Sequence, residues 1–180
     1  MKLILLGIQG SGKSTQGNLL SQKLGVPYLS TGHIFREMAK EKTPWGRYVK
    51  ETLNAGILIS DDQVIPIVAE YLQKPEYEKG YILDGFPRTV AQAQGFHNGV
   101  DKLIYLKVSD KEALWRLSGR LDEGIREDNT LQAIRKRIQM FHDSTEPVLD
   151  VYRQKGQLLE IDGEKSIEEV TAQIFQGLGL

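Results

Sequence analysis

The chain contains at residues 7–14 the stretch GIQGSGKS, which matches the pattern G-x-x-x-x-G-K-[ST] at every fixed position. An apolar run at residues 2–6 precedes it, and a segment with helical spacing follows it. Glycines allow a backbone to wrap around phosphate oxygens, and the N-terminus of the following helix favours an anion. Lys13 can reach the β and γ phosphates of a nucleotide, and a hydroxyl at Ser14 or the next residue can face magnesium. This context predicts a loop that binds a nucleoside triphosphate rather than a glycine-rich turn that binds nothing. The residues predicted to contact the triphosphate here are Gly10, Ser11, Gly12, Lys13, Ser14 and Thr15.

Short apolar runs rich in β-branched residues alternate along the chain with longer segments of helical spacing. The run at residues 102–108 favours a strand over a helix, because it is short and ends at Ser109-Asp110, a helix-capping signal. The alternation predicts one α/β domain over residues 1–180, with a five-stranded parallel sheet flanked by helices. The predicted strands are Lys2–Leu6, Val26–Leu29, Gly80–Leu83, Lys102–Val108 and Gln157–Ile161. The predicted helical segments are Thr15–Leu24, Asp62–Lys74, Lys111–Leu117, Asn129–Lys155 and Ser166–Leu178.

The composition is that of a globular domain with balanced charge. Among the 180 residues, 40% are hydrophobic and 26% are charged, and 23 Lys and Arg nearly cancel 24 Asp and Glu. A net charge of -1 gives no reason to expect a nucleic-acid partner. Cysteine is absent, which excludes disulfides and every zinc site that needs cysteine. The sequence after residue 6 is glycine-rich and polar, and no apolar run approaches bilayer length, so we expect no signal peptide and no membrane partner. The lack of cysteine fits a cytoplasmic location, and the balanced charge without an obvious exposed apolar stripe favours a monomer.

A second constellation begins where the strand at residues 80–83 ends. Asp84 stands in the position from which a carboxylate near a phosphate loop holds magnesium, directly or through water, although an aspartate there can also cap the following turn. Arg88 follows a rigid Gly-Phe-Pro turn and places a guanidinium at the carboxyl edge of the sheet, where ligands collect in α/β folds. Gln92 lies four residues further on the same helix face, and its amide can both donate to and accept from a base edge.

Together these motifs are similar to those of the adenylate kinase family. The similarity runs from Met1 to about Ile174, and the block Asp-Gly-Phe-Pro-Arg-Thr at residues 84–89 is specific to nucleoside monophosphate kinases. The motifs that carry the resemblance are residues 10–16, Ser30-Thr31-Gly32 with Arg36, Gly56 with Leu58 and Asp61, residues 84–89 with Gln92, and residues 126–129 with Arg137.

The resemblance implies a P-loop NTPase fold with a helical NMP-binding flap at residues 30–59 and a short lid loop at residues 119–129. The implied activity is reversible transfer of the terminal phosphoryl group of Mg-ATP to AMP, which gives two ADP and maintains the balance of adenine nucleotides. Family members with a long lid carry an extended hairpin, often with four zinc-binding cysteines. This chain has neither hairpin nor cysteine, so Mg²⁺ is the expected cofactor and zinc is not expected.

The resemblance also assigns roles to individual side chains. Gln92 would read the adenine edge of AMP, Arg36 and Arg88 would hold its phosphate, and Asp84 would bind Mg²⁺ through water. Because the acceptor phosphate is already an anion, transfer needs position and positive charge rather than a strong base. The implied AMP-binding residues are Thr31, Arg36, Ile57, Leu58, Ile59, Gly85, Phe86, Pro87, Arg88, Gln92, Arg126 and Arg137. On the ATP side they are the phosphate loop with Arg116, Arg120 and the backbone of Lys165. The implied catalytic residues are Lys13, Arg36, Arg88, Arg120, Arg126 and Arg137.

One departure and three alternatives accompany this interpretation. His33 stands where the family usually has an aspartate that orders magnesium-bound water. A UMP/CMP kinase or another nucleoside monophosphate kinase is an alternative, although UMP and CMP kinases usually carry asparagine at Thr89 and near Gln92. A binding-only module is a second alternative, which the retained lysine and arginines oppose. A GTPase would need the guanine-reading pattern Asn-Lys-x-Asp, and the sequence contains none.

Overall fold

The computed structural model describes residues 1–55, 57–118 and 131–180. In this part of the chain, five strands form one sheet in the order β2-β3-β1-β4-β5, and every neighbouring pair is parallel. The predicted P-loop α/β fold is confirmed. The strands are β1 Lys2–Leu6, β2 Tyr28–Ser30, β3 Tyr81–Asp84, β4 Lys102–Lys107 and β5 Leu158–Asp162.

The central strands are apolar because both faces of the sheet are covered. Successive side chains of a strand point to opposite faces, so Leu3 and Leu5 enter one core while Ile4 and Leu6 enter the other. The side chains of Leu3, Ile4 and Leu5 are fully buried. A strand buried on both faces has a continuous run of apolar residues, and for this reason β1 and β4 could be predicted from the sequence.

Helices cover both faces of the sheet, and several begin at recognisable caps. The side chain of Thr43 accepts from the N–H of Gly46 ahead of the helix Pro44–Asn54, and Ser166 and Glu169 form a reciprocal capping box at the start of the helix Ile167–Leu178. Within the described ranges, no helix is long and apolar enough to cross a membrane. The α-helices of the described chain are α1 Lys13–Leu24, α2 Thr31–Met38, α3 Pro44–Asn54, α4 Asp61–Tyr71, α5 Val90–Gly95, α6 Asp110–Ser118, α7 Leu131–Met140, α8 Val148–Gln154 and α9 Ile167–Leu178.

The segment with helical spacing at residues 129–155 is not one regular helix. Within its described part, which begins at residue 131, α7 ends at Met140. A π turn, Phe141–Thr145, follows before α8 begins. The N–H of Glu146 donates to the carbonyl of Phe141 at 2.8 Å, five residues back, and Pro147 has no N–H to continue the helical ladder. The wider turn places Thr145 so that its hydroxyl donates to the backbone carbonyl of Arg88 at 2.9 Å.

The strand order brings two loops together at the carboxyl edge of the sheet. β1 lies between β3 and β4, and the register pairs Leu5 with Asp84. The loop that follows β1 and the turn that follows β3 therefore start side by side. This edge is where α/β sheets bind ligands, next to the point at which the chain changes direction across the sheet.

Candidate active site

The loop after β1 has the backbone geometry of a phosphate cradle. Gly10 and Gly12 have φ values of 91°, in the left-handed region that side chains disfavour. A Cβ on Gly10 would lie 2.9 Å from the carbonyl oxygen of Ala113, because α6 packs directly on the loop. Gly12 stands at the N-cap of α1, so the free N–H groups of the first helical turn face the loop.

Lys13 points into this loop. Its ammonium donates to the carbonyls of Gly7 at 2.8 Å and Ile8 at 2.9 Å. Burial lowers the pKa of Lys13, the carboxylate of Asp84 acts in the opposite direction, and Arg88 adds to the lowering. Lys13 therefore lies within electrostatic range of Asp84 and Arg88, two residues of the second constellation.

Asp84 ends β3 with one carboxylate oxygen bound and one free. The hydroxyl of Tyr28 donates to Oδ2 at 2.7 Å, whereas Oδ1 is buried and has no hydrogen-bond partner among the described residues. Buried polar atoms are nearly always paired, so an unpaired carboxylate oxygen indicates a place for a ligand. Mg²⁺ binds oxygen and keeps several of its waters. The free Oδ1 fits such a metal-bound water, and this favours the magnesium role of Asp84 over a role as a cap.

Tyr28 is the residue that sequence reasoning missed. The register pairs Tyr28 with Ile82 and places Asp84 two residues further along the same face of β3. The tyrosine ring crosses α1 at Gly17, where a Cβ would lie only 2.4 Å from a ring carbon. Burial raises the pKa of Tyr28 well above its ordinary value, and the charge of Asp84 and its hydrogen bond raise it further, so the hydroxyl remains a donor. No motif predicts this contact, because it depends on strand register.

Arg36 and Arg137 lie within electrostatic range of Arg88, which itself lies within range of Asp84. Arg88 Nε donates to the carbonyl of Gly85 at 2.7 Å, and Arg137 Nη1 donates to Gln9 Oε1 of the loop at 3.3 Å. The Arg88 side chain has a solvent-exposed face. Desolvation by the surrounding protein lowers the pKa of Arg88, the charge of Asp84 acts in the opposite direction, and the charges of Arg137 and Arg36 lower this pKa further. Like charges this close indicate an anion site, because an anion would offset their repulsion.

Gln92 lies in a hydrogen-bonded network at the start of α5. Its Oε1 accepts from the backbone N–H of Arg88 at 2.6 Å, and its Nε2 donates to Asp61 Oδ1 at 2.8 Å. The hydroxyl of Thr89 donates to Asp61 Oδ2 at 2.9 Å and also accepts from the N–H of Gln92 as the helix cap. Gln92 is only 2% exposed. Asp61 belonged to the motif set, but its contact with Gln92 became visible only in the structure.

The other predicted AMP-side residues come from α2, from the turn after β3 and from the segment before α4. Thr31 is buried and donates from Oγ1 to the carbonyl of Asp84 at 3.1 Å. Phe86 and Pro87 are buried, with the Phe86 ring edge-on to Phe96 at 5.0 Å. In the segment before α4, Ile57 is exposed, Leu58 is half-buried and Ile59 is buried.

The predicted ATP-side residues are in part described. Arg116 on α6 pairs with Glu112 at 2.7 Å, and Lys165 is exposed in the turn before α9. Arg120, Arg126 and the predicted lid at residues 119–129 lie outside the described residues. His33 is exposed on α2.

The chain was compared with known proteins. A family model described as Adenylate kinase matches residues 5–157. An adenylate kinase from Caldicellulosiruptor bescii is 35% identical over 214 aligned positions that cover 100% of both chains. One from Parvibaculum lavamentivorans is 39% identical over 190 positions, covering 100% of this chain and 93% of the relative. One from Stenotrophomonas maltophilia is 37% identical over 185 positions, covering 99% of each.

Proposed function

The chain belongs to the adenylate kinase family, and on that premise we propose that it is an ATP:AMP phosphotransferase that converts ATP and AMP into two ADP. The observation that carries this function is the cluster of cations that includes Lys13 and Arg88 beside Asp84. Lys13 and Arg88 are both within electrostatic range of Asp84, and Arg88 is also within range of Arg36 and Arg137. A reaction between two phosphate chains requires such a concentration of positive charge.

Different residues bind the phosphoryl donor and the acceptor. The phosphate loop and Lys13 bind the β and γ phosphates of ATP, and Arg36 and Arg88 orient the phosphate of AMP for in-line attack. Arg137 would contact phosphate on the AMP side, and its contact with Gln9 of the loop supports a role near the transferred group. Because the AMP phosphate is already an anion, no side chain has to remove a proton. The arginines and Lys13 stabilise the charge that develops on the transferred group.

Asp84 and the hydroxyl of Ser14 or Thr15 are the residues that would hold Mg²⁺ and its water. When bound, the ion neutralises charge on the β and γ oxygens of ATP. The free Oδ1 of Asp84 supports this assignment.

Two segments are proposed to exclude water from the reaction. In this proposal, residues 30–59, which include α2 and α3, form the flap over AMP, and residues 119–129 form a short lid over ATP. The remainder of residues 1–180 forms the core of one kinase domain.

The test is ADP formation from Mg-ATP with AMP, CMP, UMP and GMP as acceptors. We expect AMP to be the preferred acceptor. Lys13→Ala should lower kcat by several orders of magnitude, by analogy with the roughly 10³ to 10⁵ attributed to a cation at the transferring group. Lys23→Ala, an exposed lysine on the same helix, is the matched control and should leave kcat unchanged. Preference for UMP or CMP would contradict the assigned acceptor, and ATP binding without transfer to any acceptor would indicate a binding-only module.

A further inference from the structure

The network around Gln92 suggests how the protein chooses its acceptor base. We propose that Asp61 is a specificity-determining positioning residue, which locks the orientation of the Gln92 amide so that the site accepts adenine and rejects guanine and uracil. This inference rests on the proposed function, in which Gln92 reads the base of the monophosphate. Asp61 touches neither phosphate in that proposal and would act through Gln92.

The two ends of the Gln92 amide are distinguished by their partners. An ionised carboxylate can only accept hydrogen bonds, so the group 2.8 Å from Asp61 Oδ1 must be the NH₂ of Gln92. A backbone N–H can only donate, so the atom 2.6 Å from the Arg88 nitrogen must be the amide oxygen. A flipped amide would place oxygen against the carboxylate and NH₂ against the N–H, and both contacts would be repulsive.

Asp61 is itself held in place. It is the first residue of α4, it is half-buried, and its second oxygen accepts from the hydroxyl of Thr89 at 2.9 Å. Thr89 in turn caps α5, the helix that carries Gln92. The carboxylate therefore cannot rotate away from Gln92 without losing a second bond, and the near-complete burial of Gln92 makes any unpaired amide atom costly.

A locked Gln92 amide has two hydrogen-bonding positions left for a base. Oε1 offers one lone pair that can accept, and Nε2 offers one N–H that can donate. Adenine offers an exocyclic N–H beside an acceptor ring nitrogen, which is complementary to these two positions. Cytosine offers the same pattern on a smaller ring. Guanine and uracil offer a carbonyl oxygen beside a ring N–H, the reverse pattern, which only a flipped amide could bind. A site built to pair specific polar groups rejects the wrong pattern because its own groups are left unpaired.

The experiment compares Asp61→Asn with Asp62→Asn. An asparagine at position 61 can present either oxygen or NH₂ to Gln92, so it allows the amide to flip with little change in shape. Asp62 is the exposed neighbour in the same first turn of α4, and its substitution removes the same charge from the same helix end. The measured quantities are kcat/KM for AMP, CMP, GMP and UMP, and the Kd of AMP and GMP by calorimetry.

We expect Asp61→Asn to lower the AMP-to-GMP and AMP-to-UMP ratios by about 10-fold, within the range of discrimination that one bidentate base contact provides. The AMP-to-CMP ratio should stay constant, because cytosine uses the same amide orientation as adenine. Asp62→Asn should leave all three ratios unchanged. Arg88 still contributes its N–H in the variant, so we expect discrimination to be reduced rather than abolished.

A double-mutant cycle separates positioning from support of the fold. Gln92→Leu removes the amide, and adding Asp61→Asn to it should not change the AMP-to-GMP ratio further. If Asp61→Asn does not fold, Asp61→Ser replaces it, because a hydroxyl also donates and accepts. An unchanged ratio in a folded position-61 variant, or an equal change in Asp62→Asn, would overturn the inference. If the wild-type protein does not phosphorylate AMP, the proposed function itself fails, which is a distinct outcome.

Discussion

Tyr28 and Asp84 are 56 residues apart in the chain, yet their side chains are joined by a hydrogen bond of 2.7 Å. The bond occupies one oxygen of the carboxylate and orients the other, which has no partner among the described residues. Without this hydrogen bond, rotation about the side-chain bonds of Asp84 would allow several orientations of the carboxylate. Each orientation would place Oδ1 differently relative to Lys13. At the scale of single residues, the tyrosine therefore pre-organises the proposed magnesium site.

Removing this hydroxyl should weaken the binding of Mg-ATP. In Tyr28→Phe, the ring still packs on α1 but Asp84 loses its donor. A hydrogen bond to a charged group contributes about 1.5 to 3 kcal/mol, and since Tyr28 is half-buried, we expect the lower end as a loss of unfolding free energy. We also expect the Mg²⁺ concentration needed for half-maximal ATP binding, measured by calorimetry, to rise.

The control for this prediction is Tyr48→Phe, the same chemical change at an exposed tyrosine of α3. A Mg²⁺ requirement that is equal in wild type and Tyr28→Phe would show that Tyr28 does not position Asp84.

The π turn at residues 141–145 contacts both the site, through Thr145 and Arg88, and the start of α6, through His142 and Asp110. His142 lies on this turn between two carboxylates, with Nδ1 2.8 Å from Glu146 and Nε2 2.9 Å from Asp110 at the start of α6. The hydrogen bond with Glu146, and then that with Asp110, raise the pKa of His142 above its ordinary value of 6.5. The charged imidazole can donate to both partners, which the neutral ring cannot.

The stabilisation from His142 should depend on pH. Because the pKa is raised in the folded protein, the contribution is complete below the unfolded value of 6.5 and is lost as pH rises through the higher folded value. We expect the difference in unfolding free energy between wild type and His142→Gln to be largest just below pH 6.5, while both carboxylates remain charged, and to shrink toward alkaline pH. Because His142 is partly exposed, solvent screening will keep the difference modest.

Urea unfolding at a series of pH values measures this difference. His97→Gln, at an exposed histidine in the loop before β4, is the matched control. A difference for His142→Gln that grows with pH would contradict the assignment.

At the scale of the whole molecule, Gln16 joins the first helix to the last. It is 3% exposed, its Nε2 donates to the carbonyl of Ile167 at 3.0 Å, and its Oε1 accepts from the hydroxyl of Thr171 at 2.8 Å. These contacts hold α9 against the helix that begins at the phosphate loop, across more than 150 residues of sequence. The end of the chain thus supports the position of the loop.

Replacing this amide should destabilise the fold as a whole. Gln16→Leu preserves most of the volume but leaves the Thr171 hydroxyl facing an apolar side chain. In the variant the single proton of the Thr171 hydroxyl can go to the Ile167 carbonyl, 2.7 Å away, so the hydroxyl and that carbonyl each keep a partner. We therefore expect a loss of only about 1 kcal/mol. Equilibrium urea unfolding measures it, with the exposed Gln22→Leu of the same helix as control. Equal stability of the two variants would show that the buried contact adds nothing.

The sequence alone determined the features that depend on residues close together in the chain. The glycine loop with Lys13, the alternation of strands and helices, and the block at residues 84–89 each depend on local backbone conformation and short-range spacing, so their pattern is legible in the printed residues. The helical segment predicted over residues 129–155 is interrupted at residues 141–147, between α7 and α8. There a proline and a five-residue hydrogen bond override helical periodicity.

Only the tertiary structure decided which distant side chains meet. The contact of Tyr28 with Asp84 depends on the register of β2 against β3, and that of Asp61 with Gln92 depends on how α4 packs on α5. Such contacts arise from the packing of whole elements, where shifting a strand by one residue would send every side chain to the opposite face. For this reason the phosphate loop, Lys13 and the block at residues 84–89 could be read from the chain, whereas the contacts that orient Asp84 and Gln92 could not.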